Sequence, residues 1–529
     1  MSVDDIQVVL AMALYFIVVL SVGFFYLKKS NASSENYFLG GRGLGPWLTA
    51  LSAEASDMSG WLLMGLPGIA YFTGASDAMW TAIGLAIGTY LNWKFVAKRL
   101  RKYSEVAGNA ITLPDFFSNR FRDDKRILMS VAAIIILLFF CIYCGSCFVT
   151  CGKLFATLFG LDYTTMMILG ALVVFVYTFV GGYLSVCTTD LIQGAIMICA
   201  LVIVFVGSVA MAGGVENTVA FLQGIPGFLS GTQQASPILD ESGRQVVENG
   251  MPLFGDAVLY GSGAITIISC LAWGLGYFGM PHILLRFMAI REEKELNQSR
   301  RIATIWVVIS MFIAVCIGII GNSVTAAGKV PFLATSAESE TIIIKLADLM
   351  SQHGVLLAVM AGIILSGILA ATMSTADSQL LAAASSVSQD LMQHSFGIKM
   401  NQRTTMLAAR ATVICIAIIG MVLAWDPNSS VFRVVSFAWA GFGAAFGPVM
   451  LFSLFWKRAN KQGALAGMIT GGAVVFIWKY LIAPMGGTWA IYELLPAFLA
   501  ACIAIVIVSL ATPAPEKAVT DTFDEICGK

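Results

Sequence analysis

Asp57 is a carboxylate in the middle of an apolar stretch, 47–72. A charge so placed costs about 2.5–3.5 kcal/mol on membrane-insertion scales, so its presence asks for a task. An ion or proton site is one such task. The hydroxyls of Ser56 and Ser59, with carbonyls freed at Ala55 and Met58 if the helix is interrupted there, make an oxygen-rich surrounding suited to a hard cation. The structural alternative is a carboxylate paired with an arginine or capping a helix end. A second oxygen-bearing face is expected on 355–388, where Ser374, Thr375, Asp377 and Ser378 stand among alanines. Serine and threonine in such a helix also bond their own backbone or serve close packing. Thr188, Thr189 and Asp190 open another apolar run, where a helix N-cap would explain the carboxylate without chemistry. Trp273, Tyr277 and Tyr143 are able to wall a small apolar ligand and Pro281 to hold a broken helix open, although aromatic residues equally serve as core or interface anchors. Arg42, in Gly40-Gly41-Arg42-Gly43, offers a cation as an anchor to phosphate or as part of a gate.

Cys141, Cys144, Cys147 and Cys151 reproduce the spacing of a bacterial iron–sulfur ligand run. They fall inside an apolar segment from Ile127 to Cys151, and Gly152 stands where that motif has proline. We therefore read them as small apolar packing residues on one helix.

Such groups must be positioned by helices that cross a membrane. Of the 529 residues 58% are hydrophobic and 12% charged, against roughly 25% charged in a soluble domain. A net charge of zero gives no reason to expect a nucleic-acid partner. Apolar runs long enough to cross the hydrocarbon core number about thirteen. They fall near 6–27, 47–72, 78–97, 127–151, 163–180, 187–212, 257–282, 302–327, 355–388, 408–425, 431–456, 463–484 and 492–511. The first is kept as a span rather than a signal peptide, because Lys28 and Lys29 follow it instead of preceding it. Placing the N-terminus outside and the C-terminus in the cytoplasm puts about 25 of the 31 Lys and Arg residues on the inner side. Segment 47–72 carries a polar island at 55–60, and 257–282 carries Gly274, Gly276, Gly279 and Pro281. Both are expected to be broken helices, which hydrocarbon tolerates only where the freed backbone lines a cavity or coordinates something. They begin two halves of five segments each. The polar stretch 215–256 reads as an outer loop, 336–352 as a short helix on the outer surface, and the tail after Thr512 as disordered.

With these features in hand the chain resembles the sodium/solute symporter family from Tyr37 to about Leu510. The resemblance is carried by Ser56 to Gly68 (SDMSGWLLMGLPG), Ala272 to Gly279 (AWGLGYFG) with Pro281 and His282, and Gly181-Gly182-Tyr183 with Thr189 and Asp190. Leu369 to Thr375 (LAATMST) and Ala438 to Pro448 (AWAGFGAAFGP) extend it. It implies an all-α integral membrane protein with the leucine-transporter-type fold of 5+5 inverted repeats. One symporter domain would cover 1–512, with repeats near 47–212 and 257–456, followed by a cytoplasmic tail, 513–529. It further implies a plasma-membrane carrier, not an enzyme, that moves L-proline with sodium. The sodium site would use the carbonyls of Ala55, Met58 and Ala371 and the hydroxyls of Ser374 and Thr375, with Asp57 as the nearby charge. Tyr143, Trp273, Tyr277 and Pro281 would form the substrate pocket, with Ser59, Gly60 and Trp61 nearby. Asp190, Asp377 and Ser378 fall where some relatives bind an additional sodium, and Glu54 adds a third carboxylate near the first break. Another small amino acid or a carboxylate is the alternative cargo, and a transporter-like membrane sensor the alternative function. The sensor is disfavoured because no segment of catalytic size follows residue 512.

Overall fold

In hydrocarbon an unpaired backbone N–H or C=O costs several kcal/mol, so a chain this apolar satisfies its backbone within helices. The computed structural model describes residues 3–30, 33–180, 182–248, 251–259 and 264–527. Its first half contains α1 (Val3–Ser30), α2 (Pro46–Gly60), α3 (Leu66–Thr73), α4 (Ala75–Leu91), α5 (Ala97–Val106), α6 (Ile127–Phe159), α7 (Tyr163–Val180) and α8 (Tyr183–Met211). The second contains α9 (Ala264–Leu271), α10 (Pro281–Ala289), α11 (Leu296–Ala326), α12 (Ile342–Ser351), α13 (Val355–Ser385), α14 (Gln402–Leu423), α15 (Val431–Phe455), α16 (Lys461–Ile477), α17 (Leu494–Ala511) and α18 (Lys517–Cys527).

Among the described residues nine helices are long and apolar enough to cross a membrane, and a tenth span arises if Ala264–Gly279 and Pro281–Ala289, bent by 49°, are taken together. The segments expected at 47–72, 78–97 and 163–180 are helical but interrupted or shorter. The first breaks after α2, and α4 is 17 residues long before a wider turn at Asn92–Val96. Residues 260–263 of the segment expected at 257–282, and Gly181 of the Gly-Gly-Tyr match, lie outside the described residues.

α13 is the central helix, buried along most of its length and packed against α1, α2, α6 and α8. α15 covers the irregular stretch 272–279 and packs against α6, α16 and α17. The first break and that stretch thus face each other between two helical walls.

Two peripheral expectations are corrected. The 336–352 segment does not lie on the surface, because Ile342, Ile343, Ile344, Leu346 and Ala347 are all buried. These apolar residues make a broad stripe that packs α12 against α8, α11 and α13, with Asp348 left on the exposed side. The tail is not disordered over its described part. Val519, Phe523 and Ile526 recur at helical spacing and are buried, docking α18 on α5 and α15, with Lys457 paired to Asp524 at the rim. The outer segment 215–256 holds one short helix, Val215–Gln223, and two-residue antiparallel ladders around a small apolar cluster of Leu222, Phe228 and Ala235.

Candidate functional site

The break in α2 is sharp. Ser59 has φ 46° and ψ −170°, outside the helical region. Gly60 follows because a Cβ there would lie 2.3 Å from Thr150 Oγ1. The Ser59 hydroxyl accepts from the Trp61 N–H at 3.1 Å, and the Tyr143 hydroxyl donates to the Asp57 carbonyl at 3.1 Å. Across the gap, Ser374 Oγ donates to the Ala55 carbonyl at 2.8 Å. Ser374 and Thr375 also donate to the Ala371 carbonyl, at 3.2 and 3.0 Å. Four oxygen donors from α2 and α13 therefore meet at one place, and the Met58 carbonyl, which takes the Trp61 N–H, lies at the break beside them. The set is all oxygen, neutral and buried, which fits a hard monovalent cation and offers nothing to a soft metal.

Asp57 stands between Ala55 and Met58 on the same stretch. It is 5% exposed, and its Oδ2 accepts the Tyr277 hydroxyl at 2.6 Å. Its Oδ1 has no hydrogen-bond partner among the described residues. Tyr277 comes from the 3-10 stretch Ala272–Gly279, whose freed carbonyls are taken up by distant side chains. Trp439 Nε1 donates to Trp273 O at 2.8 Å and Asn92 Nδ2 to Tyr277 O at 3.0 Å. The indole lies so close that a Cβ on Gly276 would be 1.9 Å from Trp439 Nε1. Pro281 starts α10 after Met280 in extended conformation, where a missing N–H costs nothing.

Asp57, Met58, Trp61, Tyr143, Trp273 and Trp439 line a small cavity between the two breaks, completed by Leu85 and Val435. The Trp61 and Trp273 rings are 5.4 Å apart, and Phe432 covers both, at 5.9 and 5.3 Å. Trp61 Nε1 is buried without a hydrogen-bond partner among the described residues. Of the residues expected at the pocket, Trp61, Tyr143 and Trp273 form its wall and Tyr277 reaches Asp57. Ser59 and Gly60 shape the break behind it, and Pro281 begins the helix beyond it without lining the cavity. Leu85, Val435, Trp439 and Phe432 were not anticipated. Trp439 stands in the 438–448 stretch that carried the resemblance, the one signal that could have drawn attention to it.

Asp190, rather than capping a helix start, lies inside α8, fully buried, with Oδ2 3.1 Å from Arg286 Nη2. Ser378 accepts from the same nitrogen at 2.6 Å and donates weakly to Asp377 Oδ1 at 3.5 Å. Glu54 sits one turn before Asp57 and accepts from Trp93 Nε1 at 3.2 Å. Arg42 is tied to Met288 O at 2.6 Å, Ala110 O at 2.8 Å and Asn109 Oδ1 at 3.2 Å, closing the loops beneath α10. The cysteine run lies on α6, where Cys144 Sγ donates to Gln379 Oε1 at 3.4 Å. On the opposite side a buried pair was missed entirely: Lys153 Nζ is 2.6 Å from Glu340 Oε2. Glu340 also accepts from the N–H groups of Val431 and Phe432, both at 3.0 Å, and so caps α15.

Comparison with known proteins supplies the lineage of this architecture. The sequence profile described as "Sodium:solute symporter family" matches residues 37–471. The osmoregulated proline transporter OpuE of Bacillus subtilis is 42% identical over 514 residues, covering 97% of this chain and 96% of that protein. The sodium/proline symporter of Salmonella typhimurium is 41% identical over 504 residues, covering 94% and 92%. Among solved structures, a Na+-coupled sialic acid symporter in a substrate-bound outward-open state superposes with a TM-score of 0.75 at 18% identity, over 97% of this chain and 99% of that one. MhsT in complex with L-phenylalanine superposes at 0.51 with 14% identity, over 88% and 98%. With a family match over most of its length and full-length relatives above 40% identity, this chain belongs to the sodium:solute symporter family.

Proposed function

We propose that the chain is a plasma-membrane symporter that carries L-proline inward with sodium by alternating access. The observation that carries this reading is the pair of unsatisfied buried groups beside one cavity, Asp57 Oδ1 and Trp61 Nε1. Leaving a buried polar group unpaired costs about 1–3 kcal/mol, and two such groups lining one cavity fit a partner that comes and goes. The indole N–H suits the substrate carboxylate. The Asp57 carboxylate balances the sodium held by the oxygens of Ala55, Met58, Ala371, Ser374 and Thr375. The aromatic walls suit a rigid, apolar pyrrolidine body. Relatives named as proline transporters at about 40% identity support this cargo over other small amino acids or carboxylates.

On this reading the two interrupted segments are the matching broken helices of two inverted repeats, near 47–212 and 257–456, within a single domain over 1–512. Counting the interrupted and shorter segments gives thirteen spans, with the N-terminus outside and the tail in the cytoplasm. The excess of Lys and Arg in the loops so placed inside supports that orientation. No enzymatic step is involved, and lipid and the two cargoes are the only partners required.

The test is uptake of radiolabelled proline into proteoliposomes with and without an inward sodium gradient, with other amino acids in excess as competitors. Sodium-stimulated uptake that unlabelled proline alone abolishes is expected. Uptake indifferent to sodium, or competed equally by unrelated amino acids, overturns the reading.

A further inference from the structure

Tyr90 stands at the end of α4, and its ring carries two cations. Lys94 Nζ and the Arg300 guanidinium carbon each lie 5.4 Å from its centroid. Lys94 belongs to the wider turn Asn92–Val96 that follows α4, and Arg300 to the start of α11, which packs against both. Among the described residues no carboxylate pairs with Lys94, Arg300 or Arg301, whereas Lys98 is held by Glu293 at 2.9 Å and Lys294 by Glu292 at 3.3 Å. Beside these cations lies a pocket of about 470 Å³, bounded by Trp93, Lys94, Lys98, Glu293, Lys294 and Asn297.

Both helices lead to this place along exposed apolar side chains. On α4 Ile83, Ile87 and Tyr90 run at helical spacing to Lys94, and on α11 Phe312, Val308 and Ile305 run likewise to Arg301. Exposed apolar stripes alone ask only for hydrocarbon. Two stripes that end together at cations the chain does not neutralise match one kind of molecule, acyl chains joined to a negatively charged phosphate.

The pocket also reaches the two breaks. Trp93, part of its wall, donates Nε1 to Glu54 Oε1 at 3.2 Å on α2, and Asn92 donates Nδ2 to Tyr277 O at 3.0 Å. Lys94, exposed on the same turn, therefore shares a few residues of backbone with the side chains that hold both interrupted segments.

We propose that the pocket between Asn92–Val96 and the start of α11 binds the headgroup of an anionic phospholipid of the cytoplasmic leaflet, and that its occupancy steadies the turn tying the two breaks together. The inference rests on the orientation given above, which puts this end of both helices on the inner side.

Native mass spectrometry of the purified, full-length protein, titrated in detergent with phosphatidylglycerol or phosphatidylcholine, measures the binding. Proline uptake in phosphatidylcholine vesicles with and without phosphatidylglycerol measures the consequence. Wild type should prefer phosphatidylglycerol and take up proline several-fold faster in its presence. Lys94→Gln/Arg300→Gln should bind it about 30-fold more weakly and lose the stimulation, since each cation at an anionic headgroup is worth about fivefold. Lys94→Arg/Arg300→Lys should keep both. Lys399→Gln/Arg403→Gln, which removes the same charge from another exposed stretch, should behave as wild type. Equal binding by wild type and the Lys94→Gln/Arg300→Gln variant overturns the inference, as does an equal loss in the Lys399→Gln/Arg403→Gln variant, which would mean surface charge alone. Inorganic phosphate added to phosphatidylcholine vesicles should change nothing, and stimulation by it would show a free-anion site in place of a lipid site. Binding in detergent is independent of which way the chain faces, so a wild type that binds the lipid but shows no sodium-driven uptake overturns the symport reading and not the lipid site. Should the double variant fail to fold, Lys94→Gln alone, about fivefold weaker, decides.

Discussion

The Tyr277 hydroxyl donates to Asp57 Oδ2 at 2.6 Å, so the two interrupted segments are joined at their breaks by one short hydrogen bond. The bond uses one carboxylate oxygen and leaves the other turned to no protein partner among the described residues. The carboxylate is thereby held in place with one oxygen left over.

Asp57→Asn keeps the size of the side chain and an acceptor for Tyr277 but removes the charge. Interactions with a charged group are worth about 1.5–3 kcal/mol, so sodium-driven uptake should fall by about tenfold or more while the protein remains monodisperse on size-exclusion chromatography. Uptake near the wild-type level in this variant would show that the carboxylate is not the charge that draws sodium.

Ser374→Ala and Thr375→Ala each delete one neutral oxygen from the set around Ala55 and Ala371. At about 0.5–1.5 kcal/mol per group, the sodium concentration for half-maximal uptake should rise by about 2- to 13-fold, with the maximal rate little changed. An unaltered sodium dependence in both would place the ion elsewhere.

Trp61→Phe keeps an aromatic ring between Trp273 and Phe432 but removes the unpartnered indole N–H. Proline binding at saturating sodium should weaken by about 2- to 13-fold. Pyrrolidine, which has the ring without the carboxylate, should bind both proteins alike. Equal loss for the two ligands would mean that the ring, not its N–H, was what mattered.

Lys153 and Glu340 form a buried pair of unequal dependence. Glu340→Ala leaves the lysine, among the described residues, the Ala337 carbonyl at 3.0 Å and uncaps α15, whereas Lys153→Met leaves the carboxylate its bonds to Ser430, Val431 and Phe432. Breaking a buried pair from its less supported side costs about 3–5 kcal/mol. Thermal unfolding in detergent should therefore show Glu340→Ala as clearly the more damaging substitution. The reverse order would refute the capping role.

The membrane character, the two breaks and the polar groups within them are legible in the amino-acid order alone, for a local reason, whereas the family resemblance is what brought Tyr143, Trp273 and Tyr277 to one pocket. Hydrocarbon penalises each polar group where it stands, so Asp57, Ser374 and the glycines of 272–279 announce themselves against an apolar background without reference to any neighbour. The surface-bound reading of 336–352 and the disordered reading of the tail failed because burial depends on what lies opposite, and both segments found apolar partners far away in sequence. The same limit hid the counter-charges. Asp190 looked like a cap or an ion ligand until Arg286, 96 residues later, was placed against it, and Glu340 showed no purpose until Lys153, 187 residues earlier, and the start of α15 came within reach. Sequence determined which groups could not be left to lipid. Only the tertiary structure decided which of them satisfy one another and which, like Asp57 Oδ1 and Trp61 Nε1, are left facing a cavity, because pairing is a property of distances that chain order does not contain.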